Sequence, residues 1–217
     1  MHKSINNLIL LETELKSKLN DFNKAKIVAV SKTFALEDIL PLINHGHIHF
    51  GENKVQEAIE KWVQIKKDFT NVKLHMIGKL QTNKVKFVIP LFDYIHSLDN
   101  IKLAKKISIE QKKFNKKLKI FIQINIANEK QKSGIMPDEL ESFYKICISE
   151  LDLNIIGLMC IPPNDDKSNH YFSKMKKLKT KMNLDDLSMG MSKDYLDALE
   201  NEATYIRLGS KIFGKRT

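Results

Sequence analysis

The chain has 217 residues, 42% of them hydrophobic, and its 36 Lys and Arg against 26 Asp and Glu give a formal net charge of +10. That length fits one domain, residues 1–217, better than two, and with only 5 Pro and 8 Gly spread thinly there is no linker or low-complexity tract. The charge does not point to nucleic acid, because the lysines recur along helix-patterned stretches without stacking aromatics between them.

An apolar burst at 8–11 is too short for a signal peptide or a membrane span, so no membrane association is expected. Cys147 and Cys160 share no metal-type or redox-type spacing and read as free thiols in a reducing cytoplasm.

Residues 1–19 predict a helix with Leu8, Leu11, Leu15 and Leu19 on one face. The run 27–30 is continuous, apolar and β-branched, as in a strand buried on both faces, and Lys32 lies just beyond its carboxyl end. A helix over 36–44 ends at His45-Gly46, and strand 48–50 closes on Gly51-Glu52-Asn53. Asn53 fits the cap of a helix over 54–66, with Gln56 three residues on.

Strand 74–77 and helix 83–92 follow, then strand 94–96 and helix 100–114, strand 118–126 and helix 137–150, strand 155–160 and helix 166–182. Strand 187–189, helix 192–201 and strand 204–208 complete the series. Eight strands alternating with helices predict an α/β fold, a (β/α)₈ TIM barrel, with the N-terminal helix filling part of the outer ring.

The loops after the strands form the active face of such a barrel, which assigns each candidate residue a place. Lys32 follows strand one, Asn53 strand two, Met191 and Ser192 strand seven, and Gly209 and Ser210 strand eight. Lys32 is either a solvated loop lysine or an amine able to form a Schiff base with a carbonyl compound. Glycine and serine amides after strands seven and eight, with Ser192 capping the next helix, suit a phosphate.

Only Arg207 and Arg216 among the 36 basic residues are arginines, so arginine marks a place where geometry matters. Arg207 either snorkels from its strand or donates a planar hydrogen bond to a buried acceptor. An amine, a guanidinium and a phosphate cradle at one mouth point to a phosphorylated aldehyde such as pyridoxal phosphate.

Several segments carry a resemblance: Val28-Ala29-Val30-Ser31-Lys32-Thr33, Phe50-Gly51-Glu52-Asn53 with Gln56-Glu57, residues 75–84, Gly157-Leu158-Met159, Ser188-Met189-Gly190-Met191-Ser192 and residues 207–214. In collinear order, these resemble the pyridoxal phosphate homeostasis proteins, which are similar in fold to the barrel domain of alanine racemase. The resemblance implies that Lys32 forms the internal aldimine with the cofactor, pyridoxal 5′-phosphate. It implies further that Arg207 faces the pyridine nitrogen, that Ser192, Gly209 and Ser210 cradle the phosphate, and that Asn53 stands on the cofactor side.

An arginine opposite the ring nitrogen keeps the pyridine unprotonated and makes it a poorer electron sink than an aspartate would. The chain departs from the family pattern at Phe34-Ala35-Leu36, which lacks a proline, at Lys193, where an acidic residue is common, and at Glu202, where glycine is frequent. A non-glycine at 202 restricts the backbone there.

The expected function is to hold the cofactor and supply it to pyridoxal phosphate-dependent apoenzymes, without catalysis, as a cytoplasmic monomer. The alternative is a small amino-acid racemase. Alanine racemase takes its second proton donor from a tyrosine of an additional domain, and no motif places Tyr94, Tyr144, Tyr171, Tyr195 or Tyr205 in that role. His45, His47 and His49 fall away from the active face, so no metal is expected. His75 reads as packing or positioning. Met189 and Met191 read mostly as barrel filling, with Met191 also expected to brush the cofactor, and Lys132, after strand five, is either a second amine near the mouth or a solvated loop lysine.

Overall fold

A computed structural model describes residues 1–18, 25–129 and 131–214. Leu19 and Arg216, singled out above, lie outside the described residues. In chain order the elements are α1 (Lys3–Lys18), β1 (Lys26–Val30), α2 (Leu36–Asn44), β2 (His49–Glu52), α3 (Val55–Asp68) and β3 (Lys73–Met76). A 3-10 turn (Thr82–Lys84) leads into α4 (Val85–Leu91), followed by β4 (Tyr94–Leu98), α5 (Ile101–Phe114) and β5 (Lys119–Ile124). The rest are α6 (Leu140–Lys145), β6 (Ile155–Cys160), α7 (Ser168–Lys181), β7 (Asp186–Ser188), α8 (Tyr195–Glu200), β8 (Tyr205–Leu208) and α9 (Ser210–Phe213).

The eight strands form a closed barrel in sequence order, every pair parallel, with β8 returning to β1 through the register Val28 to Arg207. Continuous apolar strands suit this topology because the outer face meets helices and the inner face fills the barrel. The outer layer buries Phe50, Trp62, Phe92 and Phe172 completely. Each such side chain contributes about 2–3 kcal/mol by leaving water. The inner layer holds Val28, Tyr94, Phe121, Met159 and Tyr205.

α1 does complete the outer ring. Leu8, Leu11 and Leu15 are buried, Asn7 Nδ2 donates to the Ile212 carbonyl of α9 at 2.9 Å, and Tyr195 Oη donates to Glu14 at 2.9 Å. Among the described residues no helix is long and apolar enough to cross a membrane.

Several predicted boundaries shift for local reasons. The helix expected over 137–150 is α6 followed by a π-turn (Ile146–Glu150), so its last stretch is wound more widely than an α-helix. The helix expected over 192–201 starts only at Tyr195, because Asp194 Oδ1 accepts the Met191 N–H at 2.6 Å and holds the preceding residues in a turn. Ser192 therefore caps no helix. Asn53 is not a cap either: Lys54 occupies the N-cap of α3, with no side-chain capping bond. α9 is an additional short helix that the sequence reading does not contain.

Glu202 sits at φ 63°, in the left-handed region where the backbone favours glycine. Lys176 and Lys179 each meet its carboxylate at 2.8 Å, which holds the carboxyl down at about 2. Such half-exposed pairs are worth little, roughly 0–1 kcal/mol, against roughly 1–2 kcal/mol for the backbone conformation. Glu202→Gly is therefore expected to stabilise the fold by roughly 0.5 kcal/mol, more in high salt, read as a higher urea midpoint. A lower midpoint would mean that the ion pairs outweigh the strain.

Candidate functional site at the barrel mouth

The carboxyl ends of the strands surround a cavity of about 1090 Å³. Lys32, Asn53, Met191, Ser192, Arg207, Gly209 and Ser210 all line it, together with Val30, Ile77 and Gly78 from the barrel and the β6–α7 loop from Ile161 to Asp166. All seven residues singled out from the sequence thus open onto one space, whereas Lys132 does not line it. Lys132 pairs instead with Glu129 at 2.5 Å.

Lys32 is half-buried on a tight turn whose next residue, Thr33, has φ 68°. A β-branched residue in that region is strained, and the surroundings hold it there. Thr33 N–H donates to Glu57 Oε1 at 2.5 Å, and Lys61 Nζ donates to the Ser31 carbonyl and to Glu57, both at 2.9 Å. Beneath the turn, fully buried Glu52 accepts from Ser31 Oγ at 2.8 Å and Trp62 Nε1 at 3.0 Å, and pairs with Lys61 at 2.8 Å. This clamp from β2 and α3 fixes the direction from which Lys32 enters the cavity. Of its members, the sequence motif contained Glu52 and Glu57 but offered no signal for Lys61.

Arg207 does not snorkel. Only 5% exposed, it donates from one terminal nitrogen to Ser188 Oγ at 2.7 Å and from the other to the Cys160 carbonyl at 2.9 Å. Both partners are neutral, and burial lowers the guanidinium pKa from its ordinary value. Two acceptors leave other N–H groups of the guanidinium for a further acceptor.

Across the mouth, Ser210 Oγ donates to Ser192 Oγ at 3.0 Å, so a hydroxyl from the start of α9 meets one from the β7–α8 loop, and Gly209 lines the same cavity. Lys193 Nζ reaches Asn164 Oδ1 at 3.2 Å and bridges this side to the β6–α7 loop. Asn53 Oδ1 is buried with no hydrogen-bond partner among the described residues. Gly78 backs directly onto it, since a Cβ at 78 would stand 2.3 Å from the Asn53 carbonyl oxygen. Released from helix capping, Asn53 has an acceptor available to a ligand.

A chain of polar side chains runs from Arg207 down through the barrel interior. Ser188 Oγ lies 2.8 Å from His96 Nδ1, His96 Nε2 2.9 Å from His75 Nδ1, and His75 Nε2 2.9 Å from His49 Nδ1. His75 stacks on Tyr94 and His96 on Phe121, with ring centroids 4.1 and 4.4 Å apart. Burial is the main cause that lowers the pKa of every ring: His49 to about 4, His75 and His96 well below the ordinary imidazole value. His75 is fully buried in the barrel interior and does not line the cavity. Neither His96 nor His49 was singled out for this place; the available signal was polar residues recurring inside apolar strands.

None of the five tyrosines lines the cavity. Tyr94 and Tyr205 are buried in the barrel interior, Tyr195 is tied to Glu14, Tyr171 bonds Asp165 at 3.2 Å, and Tyr144 packs on the outer core. The polar groups at the mouth include the amines of Lys32 and Lys193, one buried guanidinium, two facing hydroxyls and an amide oxygen without a hydrogen-bond partner among the described residues. They fit a phosphorylated heteroaromatic aldehyde.

Comparison with known proteins agrees with this fit. The family described as alanine racemase, N-terminal domain, matches residues 13–217. The pyridoxal phosphate homeostasis protein of Haemophilus influenzae is 37% identical over 217 residues, covering 95% of this chain and 91% of that protein. PipY of Synechococcus elongatus, solved with pyridoxal phosphate bound, superposes with a TM-score of 0.84 at 30% identity, covering 97% of this chain and all of that one. Alanine racemase from Bartonella henselae shares the fold at 16% identity and a TM-score of 0.73, and 60% of its chain is covered.

Proposed function

We propose, from the premise that this chain belongs to the pyridoxal phosphate homeostasis proteins within the alanine racemase N-terminal-domain family, that it binds pyridoxal 5′-phosphate at the barrel mouth and supplies it to apoenzymes. The observation that carries this reading is that Lys32, buried Arg207 and the Ser192–Ser210 pair open onto one cavity. Bound there, the cofactor would supply an aldehyde, a group able to condense with an amine.

Lys32 contributes that amine, on a turn clamped by Glu57 and Lys61. Ser192, Gly209 and Ser210 hold the phosphate with hydroxyls and backbone N–H groups. Arg207 donates to the ring nitrogen and withholds a proton from it, because a guanidinium does not deprotonate. Asn53, through its buried Oδ1, and Met191 would complete the lining that holds the ring.

Carrying rather than turnover is favoured by two features. The guanidinium makes the ring a weak electron sink. A two-base racemase also needs a second donor opposite Lys32, and no tyrosine lines the cavity.

The test is the visible absorption spectrum of the purified protein with pyridoxal phosphate, before and after borohydride. A Schiff-base band, on the order of 420 nm, that borohydride removes is expected. The absence of any band would reduce the mouth to a plain phosphate-ligand site. Loss of optical rotation from L-alanine well above free cofactor would establish the racemase instead.

A further inference from the structure

The guanidinium of Arg207 has no acceptor, so its contact at 2.7 Å can run only one way: nitrogen donates and Ser188 Oγ accepts. The hydroxyl proton of Ser188 must then go elsewhere. The neighbour within reach is His96 Nδ1 at 2.8 Å. If His96 donated at this contact, the serine oxygen would receive two donors and its own proton would be buried without a partner, the costlier arrangement.

With Ser188 donating, His96 carries its proton on Nε2 and gives it to His75 Nδ1. His75 in turn carries its proton on Nε2 and gives it to His49 Nδ1. One permanently cationic residue thus sets the direction of every bond in a chain that crosses β8, β7, β4, β3 and β2.

We infer that Ser188, His96, His75 and His49 are positioning residues, a one-directional hydrogen-bond chain that locks the Arg207 guanidinium in place and leaves its remaining N–H groups to a ring acceptor in the cavity. Two of the five guanidinium N–H groups are committed, to Ser188 and to the Cys160 carbonyl. A serine that gives away its own proton is the better acceptor, and each imidazole passes that polarisation on. The Tyr94 and Phe121 rings stacked on His75 and His96 keep the imidazoles from swinging out of line. The rings need to be neutral, and burial keeps them so. The identity of the ring ligand rests on the function proposed above, whereas the direction of the chain does not.

The experiment therefore has two arms. The first uses ligand-free protein labelled with ¹⁵N in histidine. Neutral Nε2–H tautomers are expected at His49, His75 and His96, and Arg207→Met, which frees the serine oxygen, should mix or reverse them. Nδ1–H rings in the parent protein, or tautomers indifferent to Arg207→Met, would overturn the inference whether or not pyridoxal phosphate binds.

The second arm uses protein loaded with pyridoxal phosphate. Ser188→Ala and His96→Gln should both move the absorption maximum and the pH titration of the Schiff-base band in the same direction, and weaken cofactor binding about tenfold. Ser188→Thr, which retains the hydroxyl, should restore the parent spectrum. Ser188→Ala removes a single oxygen and keeps this arm informative if His96→Gln fails to fold. A folded Ser188→Ala protein with the parent spectrum and affinity would mean that the chain only packs the barrel.

Discussion

Lys32→Ala is expected to abolish the borohydride-reducible band and to weaken cofactor binding by at least about a hundredfold, or ~3 kcal/mol. The reason lies in how the site is divided. Arg207 and the Ser192–Ser210 pair still offer charge and hydroxyls to the ring and phosphate, so residual non-covalent binding persists. What disappears is the amine on the clamped turn.

That turn is strained at Thr33 and held by Glu57, Lys61 and Glu52, which places Lys32 at the cavity before any ligand arrives. Lys132→Ala is the control. Its partner is Glu129 and it does not line the cavity, so the band and the affinity should stay at the parent values. Mass spectrometry after borohydride identifies the labelled residue. A label on Lys193, which also lines the cavity, would overturn the assignment to Lys32.

The second large effect is on stability in acid. Burial lowers His47 and His49 to about 4, and holds His75 and His96 well below the ordinary imidazole value. For His49 the charges of His47, Lys26 and Lys73 add to burial, and for His96 the charge of Arg207 does. In each case the folded-state pKa lies below the unfolded value of about 6.5, so the unfolded chain takes up protons first as pH falls. The stability contributed by the neutral rings is complete above about pH 6.5 and is lost progressively toward about pH 4.

His47 and His49 account for about 3 kcal/mol each by about pH 4, against a total near 5–15 kcal/mol for a typical domain. The rings of His49, His75 and His96 are in contact and titrate together, so their losses do not simply add. Acid unfolding is expected with a midpoint above about pH 4, before the ion-paired Glu202 titrates at about 2. His49→Gln should flatten the fall between about pH 6.5 and 4 by roughly 3 kcal/mol, measured by urea unfolding at each pH. A free energy of unfolding unchanged between about pH 7 and 5 would contradict the buried neutral assignment.

Much of this architecture was legible because parallel strands buried on both faces leave continuous apolar runs. β6 spans the predicted residues, β1 and β8 differ from them by one residue at one end, and β3 is shifted by one residue as a whole. The misreadings cluster at loops facing the mouth. Asn53 and Ser192 are residue types that cap helices, and local rules assigned them to that task. The fold turned both toward the cavity instead, with Lys54 and Asp194 in the N-cap positions. The left-handed backbone at Glu202 was foreshadowed by the glycine frequent there in the family, but its two lysine partners come from α7 and could not be seen locally.

The order of strands and helices, the closure of eight strands, and the arrival of Lys32, Arg207 and the Gly209-Ser210 turn at strand ends were determined by the sequence, because they depend on periodicities and residue types within a few positions of one another. Which polar side chains meet inside the barrel was decided by tertiary structure alone. His49 and His75 are 26 residues apart, His75 and His96 21, and His96 and Ser188 92. Each points inward by the strand's twofold alternation, yet their levels within the barrel follow from the stagger at which neighbouring strands close. No local pattern carries that stagger, and it is what connects Arg207 to the three imidazoles.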